Sequence, residues 1–184
     1  DYVRIPNNGL TNLGLGIAGE KYYKQRTWDF PWKNDVYVID QTSGENTLIA
    51  EAMAYNTSLS PSEKYFVYYN GIDSSWYSIN LQTKLKNKLT ASIPAEFAED
   101  NNGNPFVPYS QGTAGWTQIN DKEYYLVNST YDVWAISPDP EHKPIAITGQ
   151  EGKKSEIVYR YVSFDKDSLY TQLTNNLIHG KVES

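Results

Sequence analysis

Asp35-Val-Tyr-Val-Ile-Asp40 recurs in similar form as Ser75-Trp-Tyr-Ser-Ile-Asn80 and as Asp132-Val-Trp-Ala-Ile-Ser137. Each copy begins with a polar residue, continues with apolar and aromatic residues, and ends at a polar turn, which is the pattern of a β-strand. A unit that returns roughly every 40 to 60 residues indicates a repeat architecture, and four-stranded units of that length are typical of β-propeller blades.

Further strands are predicted on both sides of each copy. A second apolar strand follows each copy, at Thr47–Ala50, Lys88–Thr90 and Ile145–Thr148. A tight turn that runs into another strand precedes each copy, at Gly19–Tyr23, Ser60–Val67 and Asn120–Val127. Asn70-Gly71 between two apolar runs is a strong hairpin signal. The sequence therefore predicts an all-β chain, a partial β-propeller of about three to four four-stranded antiparallel blades.

The repeats predict the boundaries of a single propeller segment over residues 1–184. Its units are a blade over 10–51, a blade over 57–93, an insertion over 94–115, a blade over 116–148 and a partial blade over 156–184. Within the insertion, Ala95–Asp100 is compatible with a helical turn. Gln150–Ser155 is predicted to be a polar loop, and the partial blade is predicted to consist of Glu156–Val162, a turn at Asp165–Ser168 and a strand at Leu169–Leu173.

Composition excludes several classes of function. The chain has 184 residues with 16 Tyr and 5 Trp, which favour pleated surfaces, and its net charge of −6 argues against nucleic acid as a partner. No apolar run is long enough to span a membrane. The absence of cysteine excludes thiolate chemistry and disulfides and leaves the cellular compartment open. Because the chain opens on Asp1-Tyr-Val-Arg4, we expect it to be a fragment of a longer protein.

Several short motifs resemble a known family. The order Ser60-Pro-Ser-Glu-Lys-Tyr65, hairpin, Trp76-Tyr-Ser-Ile79 and Leu89-Thr90 resembles a blade of the dipeptidyl peptidase IV-type and TolB-like propellers. Other motifs resemble bacterial members of the prolyl oligopeptidase family, namely Ala114–Trp116, Asn120–Lys122, Tyr131–Trp134, Pro144–Thr148 and Arg160–Val162. The resemblance extends over residues 21–173.

The resemblance implies a role next to an enzyme domain. In that family an N-terminal propeller covers a C-terminal α/β-hydrolase domain, limits the access of substrates and forms part of the peptide cavity. It therefore implies that the partners of this segment are a hydrolase domain of the parent chain and a peptide substrate, and that the parent is a periplasmic or secreted serine peptidase.

No catalytic residue is assigned to this segment itself. The Gly-x-Ser-x-Gly elbow of the family is absent, and Gly71-Ile-Asp-Ser-Ser75 does not fit it. The paired-glutamate motif of the dipeptidyl peptidase branch is absent as well, since the sequence has no Glu-Glu pair and Glu96 and Glu99 lie three residues apart in the insertion. His142 and His179 are predicted to be exposed loop residues. No metal site or cofactor is predicted, since 99–103 lacks the spaced carboxylates of a calcium loop.

Aromatic residues fall into two predicted groups. Tyr37, Tyr77 and Trp134 share one position of the repeat and, with Trp116, are predicted to pack blades together. The candidates for contact with a substrate or a covering domain lie in the loop 28–34 and in the insertion: Trp28, Trp32, Phe97, Phe106 and Tyr109. For the loop aromatics, a hydrophobic plug remains an alternative to a contact role.

Two other functions remain open. One is a TolB-like binding or scaffold propeller without an enzyme domain, and the other is an aromatic-lined carbohydrate-binding module. An open stack of blades also leaves unpaired strand edges, so we expect an edge-strand dimer of the fragment. Asn56 and Asn128 match the acceptor pattern for N-glycosylation, which is common by chance.

Overall fold

Antiparallel β-strands dominate the computed structural model, which describes residues 1–54, 56–162, 167–173 and 178–182. Within those ranges the strands form three four-stranded sheets and one two-stranded sheet. In each four-stranded sheet, consecutive strands are hydrogen-bonded neighbours, so each sheet is a simple meander built from local pairings. None of the helices in the described part of the chain has the length and apolar character that a membrane span requires.

The strands divide among the sheets in chain order. Sheet 1 contains β1 (Tyr2–Arg4), β2 (Leu13–Ala18), β3 (Asn34–Asp40) and β4 (Asn46–Met53). Sheet 2 contains β5 (Thr57–Leu59), β6 (Tyr65–Asn70), β7 (Ser75–Asn80) and β8 (Lys86–Lys88). Sheet 3 contains β9 (Thr113–Ile119), β10 (Lys122–Asn128), β11 (Val133–Ile136) and β12 (Ile145–Ala146). The two-stranded sheet pairs β13 (Ile157–Tyr161) with β14 (Ile178–Val182). The helices are 3₁₀ segments at Asn7–Gly9 and Glu20–Thr27 and the α-helix α1 (Glu151–Ser155).

The repeated phrase forms the third strand of each of the three four-stranded sheets. This confirms the prediction that each copy of the phrase is a β-strand. The copies at residues 35, 75 and 132 lie on β3, β7 and β11. Their polar first residues, Asp35, Ser75 and Asp132, are all buried rather than placed in a solvent-exposed turn. Each copy thus combines an apolar strand with a buried polar anchor at its beginning.

Sheets 1 and 2 pack face to face. Leu15 and Val36 from sheet 1 form a buried cluster with Leu59, Phe66 and Tyr68 from sheet 2. Side chains alternate between the two faces of a strand, so Val67 and Tyr69 of β6 point the other way. Sheet 2 is therefore apolar on both faces, as a sheet in the middle of a stack must be.

Sheets 2 and 3 share the largest core. Trp76 and Tyr69 from sheet 2 lie in one cluster with Trp116, Tyr125 and Trp134 from sheet 3. On the opposite face of sheet 3, another cluster is centred on Tyr124, Leu126 and Ala135, and Tyr161 and Leu173 pack against it. The three sheets are thus stacked in chain order, and Tyr161 of β13 and Leu173 cover the second face of sheet 3.

Three local predictions are wrong. The segment Gly19–Tyr23 is not the strand before the first copy; β2 takes that place, and the chain over Glu20–Thr27 is a 3₁₀ helix because charged residues interrupt any alternation. Gln150–Ser155 is mostly the short helix α1 instead of a loop. Ala95–Asp100 has no helical turn, since Ala98 pairs as an isolated antiparallel bridge with Ser110.

The final unit also differs from its prediction. Leu169–Leu173 does not form the predicted strand. Thr171 makes isolated hydrogen bonds to sheet 3: its amide donates to the Trp116 carbonyl, and its hydroxyl donates to the Ala114 carbonyl. The partner of β13 is β14 instead. The predicted turn at Asp165–Ser168 lies partly outside the described residues. At the other end of the chain, β1 precedes the predicted first unit, 10–51.

Candidate functional site

Connections that are far apart in the sequence meet at one end of the stack, which we call the insertion end. In a four-stranded meander, the β2–β3 connection and the exit from the fourth strand lie at the same end. Thr130 in the β10–β11 turn donates its amide hydrogen to the Glu96 carbonyl at 2.9 Å. The Phe30 ring meets the Phe106 ring edge-on at 4.8 Å between centroids. The insertion 94–115 therefore touches both the β2–β3 connection and the β10–β11 turn.

The aromatic loop, residues 28–33, presents indole rings to solvent. Trp28 is 76 % exposed and Trp32 is 54 % exposed. The Trp32 indole nitrogen donates to the Arg26 carbonyl at 3.2 Å, and the Arg26 guanidinium lies over the Trp32 ring at 5.6 Å. Trp32 therefore has a defined position although it is exposed, which is what an aromatic contact residue needs.

The insertion supplies the other exposed aromatics. Phe106 and Tyr109 are about half exposed and line a small pocket with Phe30. The structure thus brings four of the five predicted contact residues to the insertion end. Phe97 differs, because it is only 2 % exposed and packs in the core between sheets 2 and 3. Its role in this structure is to anchor the insertion.

A buried carboxylate fixes the 3₁₀ helix that leads into the aromatic loop. The Tyr22 hydroxyl donates to Asp35 Oδ1 at 2.5 Å, and the Ala52 amide donates to the same oxygen at 3.1 Å. Lys21 Nζ lies 3.3 Å from Asp35 Oδ2. Burial opposes the charge on Asp35, but the hydrogen bonds from Tyr22, Ala52 and Lys21 lower the pKa of this carboxyl below its ordinary value.

This lowered pKa gives a pH prediction. Asp35 stabilises the fold above its unfolded pKa of 3.8, and the stabilisation is lost as the pH falls through the lower pKa of the folded state. We expect Asp35→Asn to cost about 1.5–3 kcal/mol at neutral pH, with a smaller difference from wild type in acid. Urea unfolding at several pH values measures the difference in the free energy of unfolding between the variant and the wild type. Asp100→Asn, at an exposed loop residue, is the control. A difference in unfolding free energy between Asp35→Asn and the wild type that stays the same at every pH would contradict the prediction.

A groove of about 650 Å³ lies between the insertion and the β10–β11 turn. Its lining includes the apolar residues Ile93, just before the insertion, and Pro94 and Ala95 within it, and Glu96 and Lys153 also border it. Lys153 Nζ donates to the Pro94 carbonyl at 3.4 Å. The groove gives the insertion end a concave surface, one wall of which belongs to the insertion that also meets the aromatic loop. Sequence reasoning missed this groove, because its walls come from three separate segments.

Asp132 organises the far wall of the groove. Its carboxylate is buried and accepts hydrogen bonds from the Thr148 hydroxyl at 2.6 Å, the Gly152 amide at 3.0 Å and the Lys153 amide at 3.1 Å. The carboxylate therefore joins the β10–β11 turn to the start of α1. In the sequence Asp132 is visible only as the polar first residue of a repeated strand.

The predicted packing residues occupy different environments. Trp116 and Trp134 are buried in the core between sheets 2 and 3. Tyr77 packs against the core between sheets 1 and 2 and lies next to Tyr68, with ring centroids 5.5 Å apart. Tyr37 lies on the face of sheet 1 that points away from sheet 2, and it borders an open groove there.

Two kinds of centre, a histidine–serine pair and a metal-binding cluster, were sought among the described residues. His142 lies in the β11–β12 connection and borders a pocket with Ser62 and Ser137, and no hydrogen bond joins its imidazole to either hydroxyl. Within the described ranges no group of three or more acidic or histidine side chains is arranged to hold a metal ion. Both candidate glycosylation asparagines already use their side-chain amides, Asn56 to the Ser110 hydroxyl and Asn128 to the Gln111 carbonyl.

A scan against protein-family models finds no match, and a search of the curated proteins finds none either.

Proposed function

We propose that this chain is a non-catalytic β-propeller segment of a prolyl-oligopeptidase-like serine peptidase, and that its insertion end contacts the peptide substrate or the hydrolase domain. The observation that carries the proposal is the meeting of the aromatic loop with the insertion. The contact between Phe30 and Phe106 joins segments that are 76 residues apart in the sequence (106 − 30) and leaves both rings partly exposed.

The architecture supports the propeller part of this proposal. Three four-stranded meanders stack face to face, and each presents the repeated phrase as its third strand. Blades of a propeller pack in this manner, with each sheet apolar on both faces. Neighbouring residues that point to opposite faces provide this double-sided packing, Trp76 and Tyr77 on β7 and Trp134 and Ala135 on β11.

The insertion end supports the contact part. Exposed aromatic side chains contribute strongly to recognition because they bury much apolar area for little loss of conformational freedom. Trp28 and Trp32 are exposed, and the insertion that meets their loop at Phe106 also borders a groove lined by both apolar and polar groups. An extended peptide could place apolar side chains on the rings and its backbone along the polar wall of Ser129 and Thr130.

The five tryptophans allow a direct test. Each indole N–H gives its own NMR signal, and we expect a proline-containing tetrapeptide to shift the signals of Trp28 and Trp32 but not those of buried Trp76 and Trp134. The double variant Trp28→Ala/Trp32→Ala should weaken binding at least about tenfold, as the loss of hot-spot residues does. Leu85→Ala, at an exposed residue of the β7–β8 turn, is the matched control.

The alternatives give different results in the same titration. A carbohydrate-binding module is the second candidate, because Asn101, Asn102 and Asn104 line a pocket of about 190 Å³ with Phe30 and Phe106, and amides beside aromatic rings suit sugar hydroxyls. Shifts with an oligosaccharide and none with the peptide would replace our proposal by this one. Shifts with neither ligand would favour a scaffold propeller.

A fluorophosphonate probe tests the catalytic assignment separately. We expect it to label no serine of this chain, and to label a longer natural polypeptide that carries the chain together with a hydrolase domain. Labelling of a serine within residues 1–184 would overturn the non-catalytic assignment.

A further inference from the structure

Arg26 differs from the other two arginines of the chain in the hydrogen bonds of its guanidinium group. Nη2 of Arg4 and Nη2 of Arg160 each donate to two oxygen atoms. Nη2 of Arg26 has one long contact, at 3.4 Å to Asn34 Oδ1. Its Nε is buried and has no hydrogen-bond partner in the described part of the chain. A guanidinium carries five N–H donors, so Arg26 retains donors for a ligand.

The charge of Arg26 is also unpaired. No ion pair joins its guanidinium to a carboxylate within the described ranges. Lys24, two residues earlier, is exposed and makes no ion pair with the described residues either. Acidic side chains around this segment have other partners: Asp29 pairs with Lys33, Asp35 with Lys21, and Asp1 with the Gly19 amide. Among the described residues, two cations at the entry to the aromatic loop therefore lack an acidic partner, although the chain as a whole has a net charge of −6.

Gly19 and Trp32 define the position of the Arg26 guanidinium. Gly19 is buried, and a Cβ atom there would lie only 1.8 Å from Arg26 Nη2. The guanidinium therefore occupies the space that a side chain at position 19 would need. Arg26 Cζ lies 5.6 Å from the centroid of the Trp32 ring, a distance that allows a cation–π interaction. Packing against a glycine and an indole, rather than an ion pair, thus holds the group in place.

A guanidinium in this position is suited to a carboxylate ligand. Its planar edge matches a carboxylate through two parallel N–H···O hydrogen bonds. Arg26 is half-buried and its Nε is shielded from water, and electrostatic attraction is stronger where water is excluded. The adjacent Trp32 ring is 54 % exposed, so a ligand that covers the indole can reach the guanidinium at the same time.

We propose that Arg26 and Trp32 form a carboxylate-binding subsite, so that the insertion end selects peptides that carry an acidic side chain or a free C-terminal carboxylate. The inference rests on the peptide-binding function proposed above and adds the charge of the ligand to it. Trp32 supplies the apolar contact, and Arg26 forms the ion pair. The Trp32 indole donates to the backbone carbonyl of Arg26, so the ring stays beside the guanidinium without using its donors.

Three N-acetylated, proline-containing tetrapeptides test the charge preference. The first contains glutamate and has an amidated C-terminus. The second is neutral, with glutamine in place of glutamate and the same amide, and the third has this glutamine and a free C-terminal carboxylate. With affinities measured from the indole signals of Trp28 and Trp32, we expect the neutral peptide to bind at least about tenfold more weakly than the better of the two charged ones. The two charged peptides show which source of carboxylate the subsite takes.

The arginine side chains give a readout that is separate from affinity. Each Nε–H group has its own NMR signal, and we expect the signal of Arg26 to move with the preferred charged peptide and not with the neutral one. The signals of Arg4 and Arg160 should stay in place, because their guanidinium groups already donate to other parts of the chain. A charged peptide that binds more tightly and leaves the Arg26 signal unmoved would overturn the assignment.

Variants separate the charge of Arg26 from its position. Arg26→Gln should weaken the preferred charged peptide at least about tenfold and leave the neutral peptide almost unchanged. Arg26→Lys should recover only part of this loss, because an ammonium group lacks the planar fork. Gly19→Ala keeps the charge but displaces the guanidinium, so it should also weaken the charged peptide. The backbone at Gly19 has a φ of −110°, which alanine adopts readily.

Lys24→Gln is the matched control, because it removes the same charge two residues away, and we expect it to change the affinity of the charged peptide by less than about threefold. Equal losses for Lys24→Gln and Arg26→Gln would mean that net charge attracts the peptide and would overturn the subsite. Circular dichroism checks that each variant folds, and Arg26→Lys replaces Arg26→Gln if that variant does not.

The same titrations keep this inference apart from the proposed function. Equal affinities of the wild type for all three peptides would overturn the carboxylate subsite and leave peptide binding intact. Full affinity of Gly19→Ala for the charged peptide would overturn the role of the positioned guanidinium. Indole signals that no peptide shifts would overturn the proposed function and the subsite with it.

Discussion

Replacing Trp76 with alanine should lower the free energy of unfolding by about 3–5 kcal/mol, the range for removal of a large buried aromatic side chain. Trp76 is fully buried, at 0 % exposure, and lies between the rings of Tyr69 and Tyr125 at centroid distances of 5.4 and 5.6 Å. It also lies on the third strand of the middle sheet, where it fills the core shared with sheet 3. A cavity at this point therefore loosens two sheets at once.

Urea unfolding followed by far-ultraviolet circular dichroism measures this effect. Trp28→Ala is the matched control, because it removes the same side chain from a site that is 76 % exposed, and we expect it to cost less than about 0.5 kcal/mol. Trp76→Phe should fall between the two, since the Trp76 indole nitrogen has no hydrogen-bond partner in the described part of the chain. Nearly equal losses for Trp76→Ala and Trp28→Ala would contradict the assignment of the core.

The third strands were predictable because their alternation is complete. In Ser75–Asn80 and Asp132–Ser137 an apolar or aromatic residue falls on each face in turn, and both faces are indeed packed. The strand β2 lacked this signal, since Leu13–Ala18 alternates leucine with glycine, and glycine lowers strand propensity. The same two glycines, Gly14 and Gly16, lie opposite Ile39 and Tyr37 on the face of sheet 1 that points away from sheet 2.

The candidate site was predictable only in part. The unusual density of aromatic residues in 28–34 and in the insertion marked both segments. Nothing in the linear pattern showed that Phe30 meets Phe106 or that Phe97 is buried, because both depend on how the insertion folds back across the stack. The anchoring carboxylates were missed for a related reason. Asp35 and Asp132 resemble turn residues, and their hydrogen-bond donors lie 13 to 21 residues away in the sequence, on both sides of Asp35 and after Asp132.

Replacing Asp132 with alanine should cost about 2–4 kcal/mol, because a buried charged acceptor is removed and its donors are left without a partner. Three donors depend on it: the Thr148 hydroxyl and the amides of Gly152 and Lys153. The surroundings leave little room for compensation. A Cβ atom at Gly152 would lie 2.7 Å from the Tyr131 carbonyl oxygen, so the backbone is closely packed there and water cannot readily enter.

The effect should spread to the insertion end. Asp132 holds the start of α1, and α1 carries Lys153, whose ammonium group donates to the Pro94 carbonyl. We therefore expect Asp132→Ala to speed hydrogen exchange at the amides of Gly152 and Lys153 and to weaken peptide binding beside the aromatic loop. Asp132→Asn should cost less, since its amide oxygen still accepts one or two of the bonds.

Ser75→Ala provides the comparison for this prediction, because Ser75 occupies the same position of the repeat in sheet 2. Its hydroxyl donates only to the Asp73 carbonyl, at 2.9 Å, so we expect its loss to cost about 1 kcal/mol or less. Equal costs for the two alanine variants would mean that the shared position matters and the charge does not. A large cost for Asp132→Ala with unchanged exchange at Gly152 would place the stabilising contact on Thr148 alone. The expected pattern, a large cost together with faster exchange, makes the carboxylate the link between a repeated strand and the groove at the insertion end.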